Sequence, residues 1–343
     1  MATALSLSPD SCQVVVAGRD LLRCVSLTEP SATLETGHNL LAQTRKHINL
    51  SSNDVQWRPQ HASQLVTGAS TGDVLLWDCE RRGDSLLRTM RGNSRAVNRL
   101  CFSQAEPAQL LVAANERAVR LWDVGQRLST QQLAFATAGE VRDVQFSPHT
   151  PTRFAVALEN GMAQVFDVRS NKQALLGMQA HQGPVYCLEW HPEERGILAT
   201  GGRDRTVRVW DIQHALPAPP SSVGGGGGGG GGFGVLGGFG GLSSGSVPPG
   251  SALPPSQAHG GMSTASHVHT LQTLAAVSRL KWRPGGPEQR WQLASCAIQG
   301  DCQPHVWDAK RPAVALYSCR GHKDVCTGIA FLGPPVAVRA ASG

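Results

Sequence analysis

One short phrase, an apolar run followed by Trp or Phe and then Asp, returns along this chain at a nearly constant interval. It reads VLLWD at Val74–Asp78, VRLWD at Val119–Asp123, AQVFD at Ala163–Asp167, VRVWD at Val207–Asp211 and HVWD at His305–Asp308. Successive aromatics lie 45 residues apart from Trp77 to Trp122, then 44 to Phe166 and 44 to Trp210. Repetition at this period implies supersecondary units that cannot bury their apolar faces alone and so pack against one another. The last step, Trp210 to Trp307, is 97 residues, which is two periods once an insertion of about 50 residues is removed.

A second phrase keeps the same phase. An apolar strand closes on an aromatic, usually with a proline within two residues, at Trp57, Phe102, Phe146, Trp190, Trp282 and Phe331. A period of 40 to 45 residues ending in Trp-Asp is the mark of WD-repeat blades, four-stranded sheets arranged around a channel. The expected fold class is therefore all-β, a WD40-type β-propeller over residues 1–343 with six recognisable blades and a partial seventh. The first blade, near residues 1–45, lacks a Trp-Asp and has strands expected at Ala4–Leu7, Gln13–Ala17 and Leu21–Leu27. The seventh begins with DVCTGIAF at Asp324–Phe331. It stops after Val336–Gly343, where a second strand should finish, and this reads as a fragment or an incomplete gene model.

The insertion is the segment Pro217–Ser266, which contains nine consecutive glycines, Gly224 to Gly232, among Ser and Pro. Such a composition buries too little apolar surface to offset the entropy of ordering, so residues 217–266 are expected to be a disordered glycine-rich insert within a blade. The glycine run is no phosphate cradle, because no Lys and Ser or Thr follow its last glycine.

Charge and cysteine content narrow the function. A net charge of +6 with 16% charged residues is a mild bias spread over many loops, which excludes a basic block tracking a phosphate backbone and argues against direct nucleic-acid binding. The nine cysteines form no CxxC pair, and several sit inside apolar strand phrases, as Cys101 and Cys187 do. Buried reduced thiols of a cytoplasmic protein are the expected reading. The N-terminal residues lack a secretory leader pattern, and no run approaches the roughly 18 apolar residues of a membrane span.

The segment Ala180–Ile212 carries the repeat in fullest form. Its His181, Thr200, Asp204 and Trp210 match the His, Ser/Thr, Asp and Trp that WD repeats join by hydrogen bonds. The role expected is structural: a buried imidazole needs a partner on each nitrogen, a carboxylate accepts, and an indole N–H only donates. His, Asp and Thr also occur together in hydrolase triads, but no strained nucleophile elbow accompanies them here. Six residues before each aromatic stand Thr71, Glu116, Asn160 and Asp301 in place of Asp204, and Gly321-His322 resembles the loop dipeptide of the next blade. His267 and His269 have no carboxylate or thiol at ligand spacing, so no metal is expected, and no cofactor motif or small-molecule substrate site is found.

The candidate partner-binding face comes from the repeat phase. Val97, Val141, Val185 and Val277 begin the inner strands, and the residues that follow, Asn98, Arg142, Tyr186 and Ser278, are expected to ring the channel mouth. Arg and Tyr combine desolvated contact area with polar handles, as interaction surfaces do.

The phrases Asn53–Pro59, Val141–Pro148, Ala157–Arg169, Val277–Pro284, His305–Pro312 and His322–Phe331, with the Ala180–Ile212 blade, resemble the N-terminal propeller of the WD repeat-containing protein 24 family. Members of that family are subunits of the GATOR subcomplex two, called the SEA complex in yeast. The resemblance implies a non-enzymatic interaction scaffold that takes protein subunits of a multi-subunit complex as partners and positively regulates TOR signalling in response to amino acids. It also implies a cytoplasmic location, with association at the lysosome or vacuole membrane only indirect, through the complex. Family members continue into a helical solenoid and a zinc-binding RING-like end, neither of which this sequence contains. Another WD-repeat adaptor, such as a substrate receptor of a ubiquitin ligase, would share the fold and differ in surface.

Overall fold

The computed structural model describes residues 2–28, 33–44, 51–81, 83–125, 130–170, 173–217, 267–298 and 300–332. Among them are six four-stranded antiparallel sheets, each in simple up-and-down order. The inner strands are Ala2–Leu7, Ser52–Trp57, Val97–Phe102, Val141–Phe146, Val185–Trp190 and Val277–Trp282. The outer strands are His38–Asn39, Leu86–Met90, Thr130–Ala136, Leu176–Gln179, His267–Gln272 and Tyr317–Ser318. Numbered from the N-terminus, these are blades one to six. Blade one has the shortest outer strand together with blade six, and it is the blade whose third strand, Leu21–Ser26, ends without Trp-Asp.

The strand sequences follow from where the strands lie. Second strands such as Gln109–Ala114 and Arg153–Leu158 sit inside a sheet covered on both faces, and they read as nearly continuous runs of buried Leu, Val, Ala and Phe. The core is accordingly divided among blade junctions. Ala155, Ala157, Ala163 and Val165 of blade four pack with Val185, Leu188, Trp190, Leu198 and Trp210 of blade five in one cluster. Leu271 and Val209 of blade five join Val277, Leu280, Trp282 and Trp307 of blade six in another. Apolar burial thus holds each blade to the next, as the repeat period requires.

The expected insert connects the third strand of blade five, Thr206–Asp211, to its outer strand. Beyond Pro217 it lies outside the described residues, as does Val336–Gly343. Of the expected seventh blade, residues 324–331 form no ladder among the described residues. They lie against both end blades: Arg279 Nε of blade six donates to the Thr327 carbonyl at 3.2 Å, and Thr327 Oγ1 donates to the Ala2 carbonyl of blade one at 3.3 Å.

Candidate functional site

The face singled out from the repeat phase has a common backbone cause. Every inner strand carries a register shift at its second residue, so that Thr3, Asn53, Asn98, Arg142, Tyr186 and Ser278 each stand as the extra residue of a β-bulge. A bulge bends the strand and re-aims one side chain, and its recurrence gives six blades the same re-aimed position. What occupies that position differs. Thr3 donates to the Ser52 carbonyl, Asn53 Nδ2 to Val97 at 2.9 Å and Asn98 Nδ2 to Val141 at 2.8 Å, so the first three bulge residues each clip their blade to the next. Ser278 Oγ donates within its own blade, to the Cys296 carbonyl at 3.2 Å. Arg142 is paired with Glu159 at 2.5 Å, and the Tyr186 hydroxyl has no hydrogen-bond partner among the described residues. All four candidate residues are half-buried. Asn98 and Ser278 are engaged with backbone, while Arg142, Glu159 and Tyr186 supply the group with polar reach.

One residue further along the inner strands of blades two, three, four and six, a ladder of charges runs across the channel wall. Arg99 bridges Asp54 and Asp143, at 3.1 Å to each carboxylate. The other oxygens of those carboxylates accept the Leu100 N–H at 2.8 Å and the Leu188 N–H at 2.9 Å, so the charges also tie blade two to three and four to five. Burial lowers Arg99, but Asp143 and Asp54 outweigh it and hold the guanidinium above its ordinary value. At Asp143 burial dominates and raises the carboxyl, against the pull of Arg99. Arg279 occupies the same level, lowered to about 10 by burial and by the Arg99 charge, and remains cationic at neutral pH. Two residues on, Glu189 joins Gln145 at 2.5 Å to Lys281 at 2.6 Å. These groups line a cavity of about 420 Å³ within the ring. The repeat phase alone did not single out the ladder, although its signal stands in the inner-strand phrases, where the third residue reads Asp54, Arg99 and Asp143 in blades two to four and Arg279 in blade six.

Blade five brings its four singled-out residues into one hydrogen-bonded series. Trp210 Nε1 donates to Thr200 Oγ1 at 2.9 Å, Thr200 Oγ1 meets His181 Nε2 at 2.8 Å, and His181 Nδ1 meets Asp204 Oδ1 at 2.8 Å. A carboxylate admits only a donor on Nδ1, so in the neutral imidazole Nε2 accepts from the threonine hydroxyl. Thr206 enlarges the series, its Oγ1 donating to Asp204 at 2.8 Å, and the Gln182 N–H reaches the other oxygen at 3.2 Å. Burial raises the Asp204 carboxyl, but the bonds from His181, Thr206 and Gln182 prevail and hold it well below the usual carboxylate range. Gly202 makes room for the imidazole, since a Cβ there would lie 2.6 Å from the ring. Thr206 was missed because the family pattern names four positions; the signal was a threonine two residues after a turn aspartate.

Other blades keep pieces of this arrangement. Trp77 donates to Thr67 and Trp307 to Ser295, both at 2.9 Å. Glu116 takes up the turn role in blade three, accepting from the Ser94 N–H and from Arg120. Asp301 instead bonds His305 of its own blade at 2.7 Å, and His322 is exposed. His267 and His269 fall on the outer strand of blade five, and no group of three or more metal-ligating side chains occurs among the described residues.

Comparison with known proteins follows the same lines. The family described as WD domain, G-beta repeat, matches residues 172–211, from the end of blade four through the third strand of blade five. The GATOR2 complex protein WDR24 of Homo sapiens is 32% identical over 337 residues, covering 97% of this chain and 35% of its own length. The proteins of that name from Danio rerio and Drosophila melanogaster are each 31% identical, over 96% and 97% of this chain. Over nearly all of its length the chain is similar to these WDR24 proteins. It spans about a third of the length of these curated WDR24 relatives. A chain in the crystal structure of the mitotic checkpoint complex superposes with a TM-score of 0.66 at 17% identity, covering 95% of this chain and 79% of that one, which is likeness of fold alone.

Proposed function

We propose that this chain is the propeller of a non-enzymatic interaction scaffold in a GATOR2-type complex, where it supports positive regulation of TOR signalling by amino acids. The observation that carries the reading is similarity along almost the whole chain to proteins called GATOR2 complex proteins in animals as distant as Drosophila melanogaster and Homo sapiens. Its partners on this reading are sister protein subunits, and it reaches the lysosome or vacuole membrane from the cytoplasm only through them. Direct contacts with nucleic acid or a small-molecule substrate form no part of the role.

Two of the bulge residues, Arg142 with its partner Glu159 and Tyr186, supply the docking contacts. Arginine and tyrosine at a rigid, half-buried rim pack and hydrogen-bond at low entropic cost. Affinity purification with mass spectrometry tests the assignment: recovery of a complex of further propeller subunits supports it, and recovery of a cullin adaptor in their place would make the chain a ubiquitin-ligase receptor. Arg142→Ala with Tyr186→Ala should weaken recovery of the subunits while the thermal midpoint stays near that of the parent. Undiminished recovery moves the docking surface to the blade edges.

A further inference from the structure

Each of the four blade junctions from blades two and three to blades five and six contains one slot in which a second-strand residue faces the first residue of the next inner strand. The second-strand residue is the register partner of the third inner-strand position: Gly68 opposite Asp54, Ala113 opposite Arg99, Ala157 opposite Asp143 and Gly201 opposite Cys187. The facing residues are Val97, Val141, Val185 and Val277. The slot is tight, because a Cβ placed at Gly68 would lie 3.0 Å from the Val97 Cβ, and one at Gly201 would lie 3.0 Å from the Val277 Cβ. Alanine and valine share the apolar clusters at the other two junctions.

At blade six the same register position, opposite Arg279, is Cys296. The residue that faces it is found by the same count, since Phe331 closes its phrase five residues after Cys326 just as Trp282 does five after Val277. Arg279, the register partner of Cys296, donates to the Thr327 carbonyl at 3.2 Å, which seats Cys326 beside this slot, and both cysteines are buried, at 2% and 7% exposure. Disulfides require Cβ atoms about 3.5–4.5 Å apart, and a slot in which a Cβ built on glycine would lie 3.0 Å from its valine partner holds two facing side chains close enough to be linked with little backbone movement. We propose that Cys296 and Cys326 are a reversible oxidation site, whose disulfide latches the 324–331 segment to blade six.

Cys326 is the thiol that reacts first. The neighbouring Cys296 thiol lowers it against the opposing effect of burial, while the same proximity raises Cys296. A small oxidant fits the burial, and hydrogen peroxide balances the chemistry. The Cys326 thiolate attacks one peroxide oxygen, the O–O bond breaks, and the departing hydroxide is protonated to water, leaving a sulfenic acid. The Cys296 sulfur then attacks Cys326, the S–O bond breaks, and a second water leaves with the Cys296 proton. Two thiols are oxidised to one disulfide and one peroxide is reduced to two waters. In a reducing compartment such a pair is transient, as sensing disulfides are.

The test is to treat the full chain with hydrogen peroxide, alkylate the remaining thiols and map peptides without reduction. A Cys296–Cys326 linked pair that dithiothreitol reverses is the expected product. Tryptic cleavage after Arg320 and Lys323, inside the closed loop, should slow by about ten-fold or more on oxidation. Cys326→Ser should abolish both effects, and so should Cys296→Ala, which restores the residue used in this slot at Ala113 and Ala157 and so separates chemistry from misfolding. The proposal is overturned if both thiols are still alkylated once the exposed Cys319 is fully oxidised, if Cys326 advances to higher oxides with Cys296 free, or if either pairs with another cysteine.

Discussion

Blades four and five stand side by side, share one strand template and fill the same internal slots with opposite chemistry. In blade five the third-strand aromatic is Trp210, and ten residues before it Thr200 accepts the indole N–H. In blade four the corresponding residues are Phe166 and Val156, neither with anything to donate or accept. Phe166 stacks on Phe154 at 5.3 Å, and Phe135 meets Phe154 edge-on at 5.0 Å, so rings occupy the space that blade five gives to a hydrogen-bonded series. The two solutions are alternatives because a buried donor with its acceptor, or two apolar groups of like shape, both leave no polar atom stranded. Blade three holds half of each. Its Trp122 follows Val112 by the same ten residues, and the buried Trp122 Nε1 has no hydrogen-bond partner among the described residues.

The largest effect should come from cutting the complete series. Thr200→Val keeps the shape of the side chain but strands Trp210 Nε1 and His181 Nε2 together, each in the buried interior, at a cost of about 2–4 kcal/mol. Adding Trp210→Phe then removes one stranded donor and copies the blade four pair, so the double variant should lose less than the sum of the singles. Denaturant titration of the four proteins gives the coupling, and additive losses would mean that the two side chains do not act as a unit.

The converse substitution belongs in blade four. Val156→Thr places a hydroxyl among Phe135, Phe154 and Phe166 with no indole to satisfy, and should cost about 2 kcal/mol. An unchanged unfolding midpoint would show that this slot is wetter than its full burial implies.

How much of this was legible before the structure depends on what the periodicity carries. The six sheets and the partnership of His181, Thr200, Asp204 and Trp210 follow from residue types held at fixed phase, whereas the strand expected at 324–331 forms no ladder among the described residues. The Trp77–Thr67 and Trp307–Ser295 bonds were equally legible by counting back ten and twelve residues. The clipping of Asn53 and Asn98 onto the next blade was not, because it depends on a one-residue bulge, and a bulge leaves the apolar alternation of a six-residue strand nearly unchanged. The Asp54–Arg99–Asp143 ladder falls between: its residues share a phase, but only the packing of neighbouring blades brings residues 44 or 45 apart in sequence within 3.1 Å.

Acid should separate the two blades in a graded way. The Asp204 carboxyl is held low in the folded protein, so it contributes stability above the unfolded carboxylate value of about 4 and loses it as pH falls below that towards the depressed folded value. Asp204→Asn removes this contribution, at about 1–2 kcal/mol near neutrality. The gap between parent and variant should shrink steadily from pH 5 to pH 2. Asn160→Asp, at the matching turn of blade four where no histidine faces it, should show no such acid-dependent gain; parallel pH profiles for the two sites would break the assignment of the effect to the His181 pairing.

The smallest expected effect is a gain, and it bears on the comparison most sharply because the substitution is the one that harms blade four. Val112→Thr in blade three puts a hydroxyl ten residues before Trp122, the spacing at which Thr67 and Thr200 accept indole donors at 2.9 Å. The buried Trp122 N–H gains an acceptor, and the threonine gains the donor that Val156→Thr would lack, for a net stabilisation of about 1 kcal/mol. Val and Thr have the same branching and nearly the same volume, so packing with Leu100, Leu110 and Val124 is retained. Opposite signs for one substitution in two blades would establish that the partner across the strand decides the outcome. A loss at Val112 comparable to that at Val156 would instead mean that the register of blade three holds Trp122 out of reach, and that its stranded donor is fixed by backbone geometry and cannot be relieved by supplying an acceptor.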